Sequence, residues 1–176
     1  MIGEETFHPD TRALLAYGRA LAGAAAPPKK GGADQVLERL FVIERTKDGR
    51  WPVRTFGQEL IAIFGRDLRE HDFTRFWLDA DLKLMGALID ASSAAGEPAI
   101  ARVSAETGRG HQLGAEILIT PLRVEPSFGD RYLCMFQALG GEAFLDGRPI
   151  TRLRLGSLHP PEAKEPKGMR LVVVND

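Results

Sequence analysis

Arg54-Thr-Phe-Gly-Gln-Glu-Leu-Ile-Ala-Ile-Phe-Gly-Arg-Asp-Leu68, followed by Phe73 and the pair Phe76-Trp77, is the most informative stretch of the chain. Trp51 to Phe56 reads as a strand, Gly57 to Phe64 as a short apolar helix closed by Gly65, and the rest as an aromatic cluster. The stretch supplies no acid, base, nucleophile or metal ligand in a recognisable arrangement. Its pattern is that of a binding domain.

Working outward, Leu40-Phe-Val-Ile-Glu-Arg45 is rich in strand formers, and Asp48-Gly49 lies between it and the strand from Trp51. Asp-Gly between two such runs predicts a hairpin whose two turn positions both take positive φ. Downstream, a helix is expected from Asp79 to Ala95, with Asp79 as its cap and Leu82, Met85, Leu88 and Ile89 as its apolar face. Strands are expected over 99–105, 115–125 and 131–139, joined by the turns Thr107-Gly-Arg-Gly110 and Pro126-Ser-Phe-Gly-Asp130. Two strands, helices and then three strands is an α+β order with an antiparallel sheet. In the last strand Tyr132, Cys134, Phe136 and Ala138 alternate with Leu133, Met135 and Leu139, so both faces are apolar and both must be covered. The interior helices take one face. The other falls to the first helix or to a second protomer.

That first helix is expected from Thr11 to Ala26, with Asp10 as cap acceptor and a narrow stripe of Leu14, Leu15, Gly18, Leu21 and Ala22. Pro27-Pro-Lys-Lys-Gly-Gly32 ends it. Residues 1–32 thus form a separable cap helix and linker, 33–140 the core domain and 141–176 a C-terminal extension. The extension has a turn at Asp146-Gly147, a short strand from Ile150 to Leu155, a Pro-punctuated linker from His159 to Gly168, and an apolar end, Leu171-Val-Val-Val174, suited to docking.

At 176 residues one core is expected, and 44% hydrophobic with 27% charged residues is ordinary for a soluble protein. With 23 basic against 24 acidic residues the chain has no global field to draw it to nucleic acid or an anionic membrane. The acidic start predicts no secretory signal, and no apolar run approaches the roughly 20 residues of a membrane span. A cytoplasmic location is therefore expected.

Catalytic and metal signatures are sparse. His8, His71, His111 and His159 are scattered without ligand spacing, so no metal is expected. The single Cys134 lies in an apolar strand, where a thiol serves as a small hydrophobe. Gly108-x-Gly110-x-x-x-Gly114 misses the dinucleotide spacing and precedes a strand, so it reads as a hairpin turn. Asp79 with Asp81, and Glu4 with Glu5, read as helix-dipole and solvated acids. Arg148, Arg152 and Arg154 read as charged protection of an edge strand. Phe64, Phe73, Phe76 and Trp77 either line a ligand cavity or form filled core, tight packing being the default for interiors. Leu14, Tyr17, Leu21, Leu133 and Met135 are the candidate partner interface.

Arg54, Gly57, Leu60 and Phe64-Gly-Arg-x-Leu68, with Leu40 to Arg45, Phe73, Phe76-Trp77 and Ile117-Leu-Ile-Thr-Pro-Leu122, resemble the alphaproteobacterial branch of the PAS (Per-Arnt-Sim) domain family. The likeness runs from Thr11 to about Leu139. The chain departs from the pattern at Tyr17-Gly18, where relatives often carry Tyr-Trp, and at Arg69-Glu70, where a glycine commonly follows the Arg-x-Leu segment. The resemblance implies a five-stranded antiparallel sheet flanked by short helices. It implies a non-enzymatic sensor, without kinase, cyclase or DNA-binding output of its own, acting on a signalling protein such as a histidine kinase or through a homodimer. The sequence identifies no cofactor. The rival readings are a small enzyme using a carboxylate or His111 beside an apolar cavity, and a passive ligand carrier.

Overall fold

In the computed structural model the described residues are 6–21, 36–122 and 130–162. Leu40–Arg45 (β1) and Val53–Phe56 (β2) pair antiparallel around the expected turn. The Gly49 N–H donates to Thr46 O and the Thr46 N–H to Arg50 O, both at 3.0 Å. Gly49 is left-handed at φ +80, but Asp48 is not. The loop is a three-residue turn closed by a left-handed glycine rather than a two-residue turn, so only one position needs positive φ. The same device recurs between Ala99–Thr107 (β3) and Gln112–Leu122 (β4), where Gly110 has φ +83 and the Thr107 N–H donates to His111 O at 2.9 Å.

With Asp130–Ala138 (β5) and Ile150–His159 (β6), the strands form one antiparallel sheet in the order β2-β1-β5-β4-β3-β6. Six strands stand where five were expected. Ile150 and Leu153, aligned with Thr107 and Ala105, are fully buried, so β6 extends the core beyond β3. Arg152 and Arg154 are exposed on this outermost strand. Asp81 accepts the Leu155 N–H at 3.1 Å and ties the strand to the helix Asp79–Ala95 (α3). Leu78, not Asp79, holds the N-cap position of α3, without a side-chain cap bond.

Between β2 and α3 come Gln58–Phe64 (α2) and a 3₁₀ turn, Phe73–Phe76. The start of α2 explains Gly57: a Cβ there would lie 2.2 Å from Glu38 O, which accepts the Glu59 N–H at 3.1 Å. Gly65 ends α2 in the left-handed conformation, φ +69. Asp72 accepts the Thr74 N–H at 3.1 Å and the Trp51 N–H at 2.9 Å, which fixes the 3₁₀ turn against the hairpin.

The sheet divides two apolar clusters. Tyr132, Cys134 and Phe136 pack on the main core with Leu60, Phe64, Leu88 and Ile89 from α2 and α3. Met135, Leu118 and Ile100 belong to a smaller cluster on the other face with Phe7, Leu14, Leu15 and Val36. Of the two covers weighed for that face, the first helix occupies it. This helix, Pro9–Leu21 (α1), starts two residues earlier than expected, and its Asp10 is not the cap. The His8 Nδ1 accepts the Asp10 N–H at 3.2 Å, while the Asp10 carboxylate pairs with Arg39 at 2.8 Å. Gly18 lets α1 approach the sheet, since a Cβ there would meet Thr120 Oγ1 at 3.0 Å and Pro98 Cγ at 3.2 Å. The expected helix beyond Leu21, its Pro-Gly linker, the turn over 126–129 and the apolar end at 171–174 lie outside the described residues.

Candidate functional site

On the inner face Phe64 is the hub of the aromatic cluster. Its ring centroid lies 5.6 Å from Phe56, 5.5 Å from Phe76 and 5.2 Å from Phe136. Phe73 lies 5.2 Å from Phe41, 5.6 Å from Phe76 and 6.1 Å from Trp77. At these separations neighbouring rings are in contact, several of them edge to face. The period of α2 turns Leu60 and Phe64 inward together, and the 3₁₀ turn brings Phe73 and Phe76 to meet them. All four candidate pocket residues are therefore brought together. Among the buried polar atoms described, Trp77 Nε1 has no acceptor, an N–H left open in an apolar setting.

The motif arginine, Arg54, crosses from β2 to β1. It contacts Glu44 Oε2 at 3.1 Å through Nε and Glu44 Oε1 at 3.3 Å through Nη2, and reaches Glu70 Oε2 at 2.7 Å through Nη1. Arg131 on β5 joins Glu44 at 2.9 Å. The hydrogen bond from Arg54, seconded by Arg131 and partly offset by burial, holds the Glu44 carboxyl below its ordinary range.

On the outer face the five candidate interface residues separate. Leu14 and Met135 are buried together beneath α1. Tyr17 is 42% exposed. Leu133 is half-buried in a cross-strand row with Val42 and Thr120, beside the place where Gly18 presses on the sheet. The side chain of Leu21 lies outside the described set.

Sequence reasoning missed the polar anchor on this face. Glu116 is fully buried, accepts the His8 N–H at 3.0 Å and pairs with Arg102 at 3.3 Å. Arg102 lies 5.1 Å over the Phe7 ring and donates to Thr6 O at 2.5 Å. Phe7 in turn meets the His159 ring edge-on at 4.9 Å. Burial, then the Arg102 charge, pushes the His159 imidazole below its ordinary pKa, with Glu116 acting in opposition. The available signal was Glu116 itself, a carboxylate inside the run Ala115-Glu-Ile-Leu-Ile119 of a strand covered on both faces.

His111 faces the Arg148 guanidinium at 2.8 Å and has no carboxylate partner among the described residues. Burial pushes the Cys134 thiol far up, so it stays protonated. Among the described residues no group of three or more potential ligands could hold a metal ion, and no helix is long and apolar enough to cross a membrane.

A family model described as PAS domain matches residues 6–137. Twenty-three chains among the solved structures are similar, and two stand for them. One concerns a light-oxygen-voltage domain and a flavin analogue, at 18% identity over 61% of this chain and 83% of that chain, with a TM-score of 0.41. The other is the dark structure of the LOV domain of the blue-light photoreceptor Aureochrome1, at 8% identity over 68% of this chain and 90% of that chain, with a TM-score of 0.46. No curated protein matches.

Proposed function

The chain belongs to the PAS domain family, and on that premise we propose that it is a non-enzymatic regulator that works by protein contact. The observation that carries this reading is the separateness of α1. It is held by its own small cluster and by the Glu116–Arg102 anchor, so its docking can change without opening the main core. A ligand or partner acts on such an element only by binding its two states unequally. The contact surface we assign is the exposed flank of α1 at Tyr17 with the adjoining Leu133, continuous with buried Leu14 and Met135. The partner is a second copy of this chain or a signalling protein such as a histidine kinase. Ligand gating would act through Phe64, Phe73, Phe76 and Trp77, where the open Trp77 N–H gives a small polar molecule its one point of attachment in the cluster.

The test is the double variant Tyr17→Asp/Leu133→Asp, with mass read by light scattering and capture read by pull-down of a purified histidine kinase. The variant is expected to shift association at least about tenfold, the size of one lost well-packed aromatic contact. Self-association and capture both matching the wild type would refute the reading.

A further inference from the structure

Away from the aromatic interior and α1, an open cleft of about 380 Å³ lies between the hairpin turn, the loop after α2 and the 3₁₀ turn. Arg50, Arg66, Arg69 and Arg75 line it together with Phe76 and Thr151. We propose that this cleft binds a small phosphate-bearing ligand. The inference goes beyond the regulatory reading and does not depend on it.

Arg50, Arg66, Arg69 and Arg75 reach this cleft from three separate segments against two lining carboxylates, Glu70 and Asp72, and a lining with more positive than negative groups attracts an anion. Both carboxylates have partners outside these four arginines. Glu70 pairs with Arg54 at 2.7 Å, and Asp72 accepts the Trp51 N–H at 2.9 Å and the Thr74 hydroxyl at 2.8 Å. Arg50 and Arg69, both exposed, each hold an acid two positions earlier, Asp48 at 2.7 Å and the half-buried Asp67 at 2.5 Å. Exposed pairs of this kind are weak and can be exchanged for a ligand. Arg66 and Arg75 have no carboxylate partner among the described residues. Arg66 rests 5.9 Å above the Phe76 ring, an arrangement that orients its planar fork and lowers the ordering cost of binding.

Several forked donors around one point suit the oxygens of a phosphate better than a single carboxylate. The volume falls within the usual range for small-molecule sites, and the edge of Phe76 offers an apolar contact to the organic part of an ester, while the Thr151 hydroxyl, which donates to Glu106 O at 3.3 Å, keeps its oxygen as an acceptor.

Calorimetric titration at fixed ionic strength, with inorganic pyrophosphate and then ribose 5-phosphate, tests the proposal. The wild type should bind both saturably. Arg66→Gln and Arg75→Gln, both exposed and expected to keep the wild-type circular dichroism, should each weaken binding about tenfold, the worth of a charge-assisted hydrogen bond. Arg12→Gln, on exposed α1 across the sheet, should bind like the wild type. The proposal is overturned by a lack of saturation up to about 10 mM, by equal weakening in Arg12→Gln, or by exclusion of ribose 5-phosphate. These readouts are independent of self-association and of kinase capture, so this proposal and the regulatory reading can fail separately.

Discussion

Glu70 has a left-handed backbone, φ +63, in the Arg69-Glu70 segment at which the chain departs from the pattern it resembles. A side chain in that conformation costs about 1 kcal/mol. The compensation is the Arg54–Glu70 ion pair, and Glu70 is 70% exposed, so the pair contributes about 0.5 kcal/mol or less. At an ordinary position glycine is less stable than alanine by roughly 0.5–1 kcal/mol. Here the order should reverse: Glu70→Gly should be more stable than Glu70→Ala, by up to about 0.5 kcal/mol. Urea denaturation of the two variants decides it, and alanine matching or exceeding glycine would remove the strain argument. The departure at this residue was legible in the sequence, but its meaning was not, because φ depends on how the loop returns to Val53. Gly57 and Gly65 were legible as punctuation. That Gly57 is needed for contact with Glu38 O was not, since the contact lies outside the motif that singles the glycine out.

At the scale of elements, the span of α3 was readable because its apolar positions recur with helical period, whereas its cap was not, since Leu78 and not Asp79 holds that position. The double coverage of β5 was readable from its strict alternation. What periodicity could not choose was the cover, since a helix of the same chain and a second protomer bury the same side chains. Pairing was equally hidden: the stretch from Ile150 carries strand formers, but nothing local says that it joins β3. The cluster under α1 gives a direct test of how separable that helix is. Leu15 is 5% exposed and shares its cluster with Ile100, Leu118 and Met135. Leu15→Ala should cost about 2–3 kcal/mol, the lower part of the range for such truncations, because a peripheral site relaxes more readily than the main core. Hydrogen exchange should localise the effect, with the α1 amides exchanging faster and those of β4 and β5 near Ile117 and Phe136 keeping their protection. A uniform loss of protection would mean that α1 and the sheet unfold as one unit.

For the molecule as a whole, the two shifted groups that tie distant parts together act in the same direction on acidification. Glu44 joins β1, β2 and β5 through Arg54 and Arg131, and its folded pKa lies below its ordinary value of 4.5. His159, at the end of β6, packs on Phe7 ahead of α1, and its folded pKa lies below 6.5. In both cases the unfolded chain takes up the proton first, so stability falls as pH falls. The His159 contribution is fully present above 6.5 and is lost as pH falls through its lowered folded value; that of Glu44 is present above 4.5 and lost below it. The urea midpoint should therefore decline in two stages. His159→Gln should flatten the upper stage and leave the lower one, while Glu44→Gln should reduce the lower stage and leave the upper. The upper stage also reports on α1, because the proton that charges His159 enters beside Arg102, whose guanidinium holds Glu116 and the Thr6 carbonyl. Faster exchange of the α1 amides near pH 5.5 than near pH 7.5, corrected for intrinsic rates and absent in His159→Gln, would identify this anchor as the acid-sensitive joint. An unchanged slope in His159→Gln would assign the upper stage to other groups.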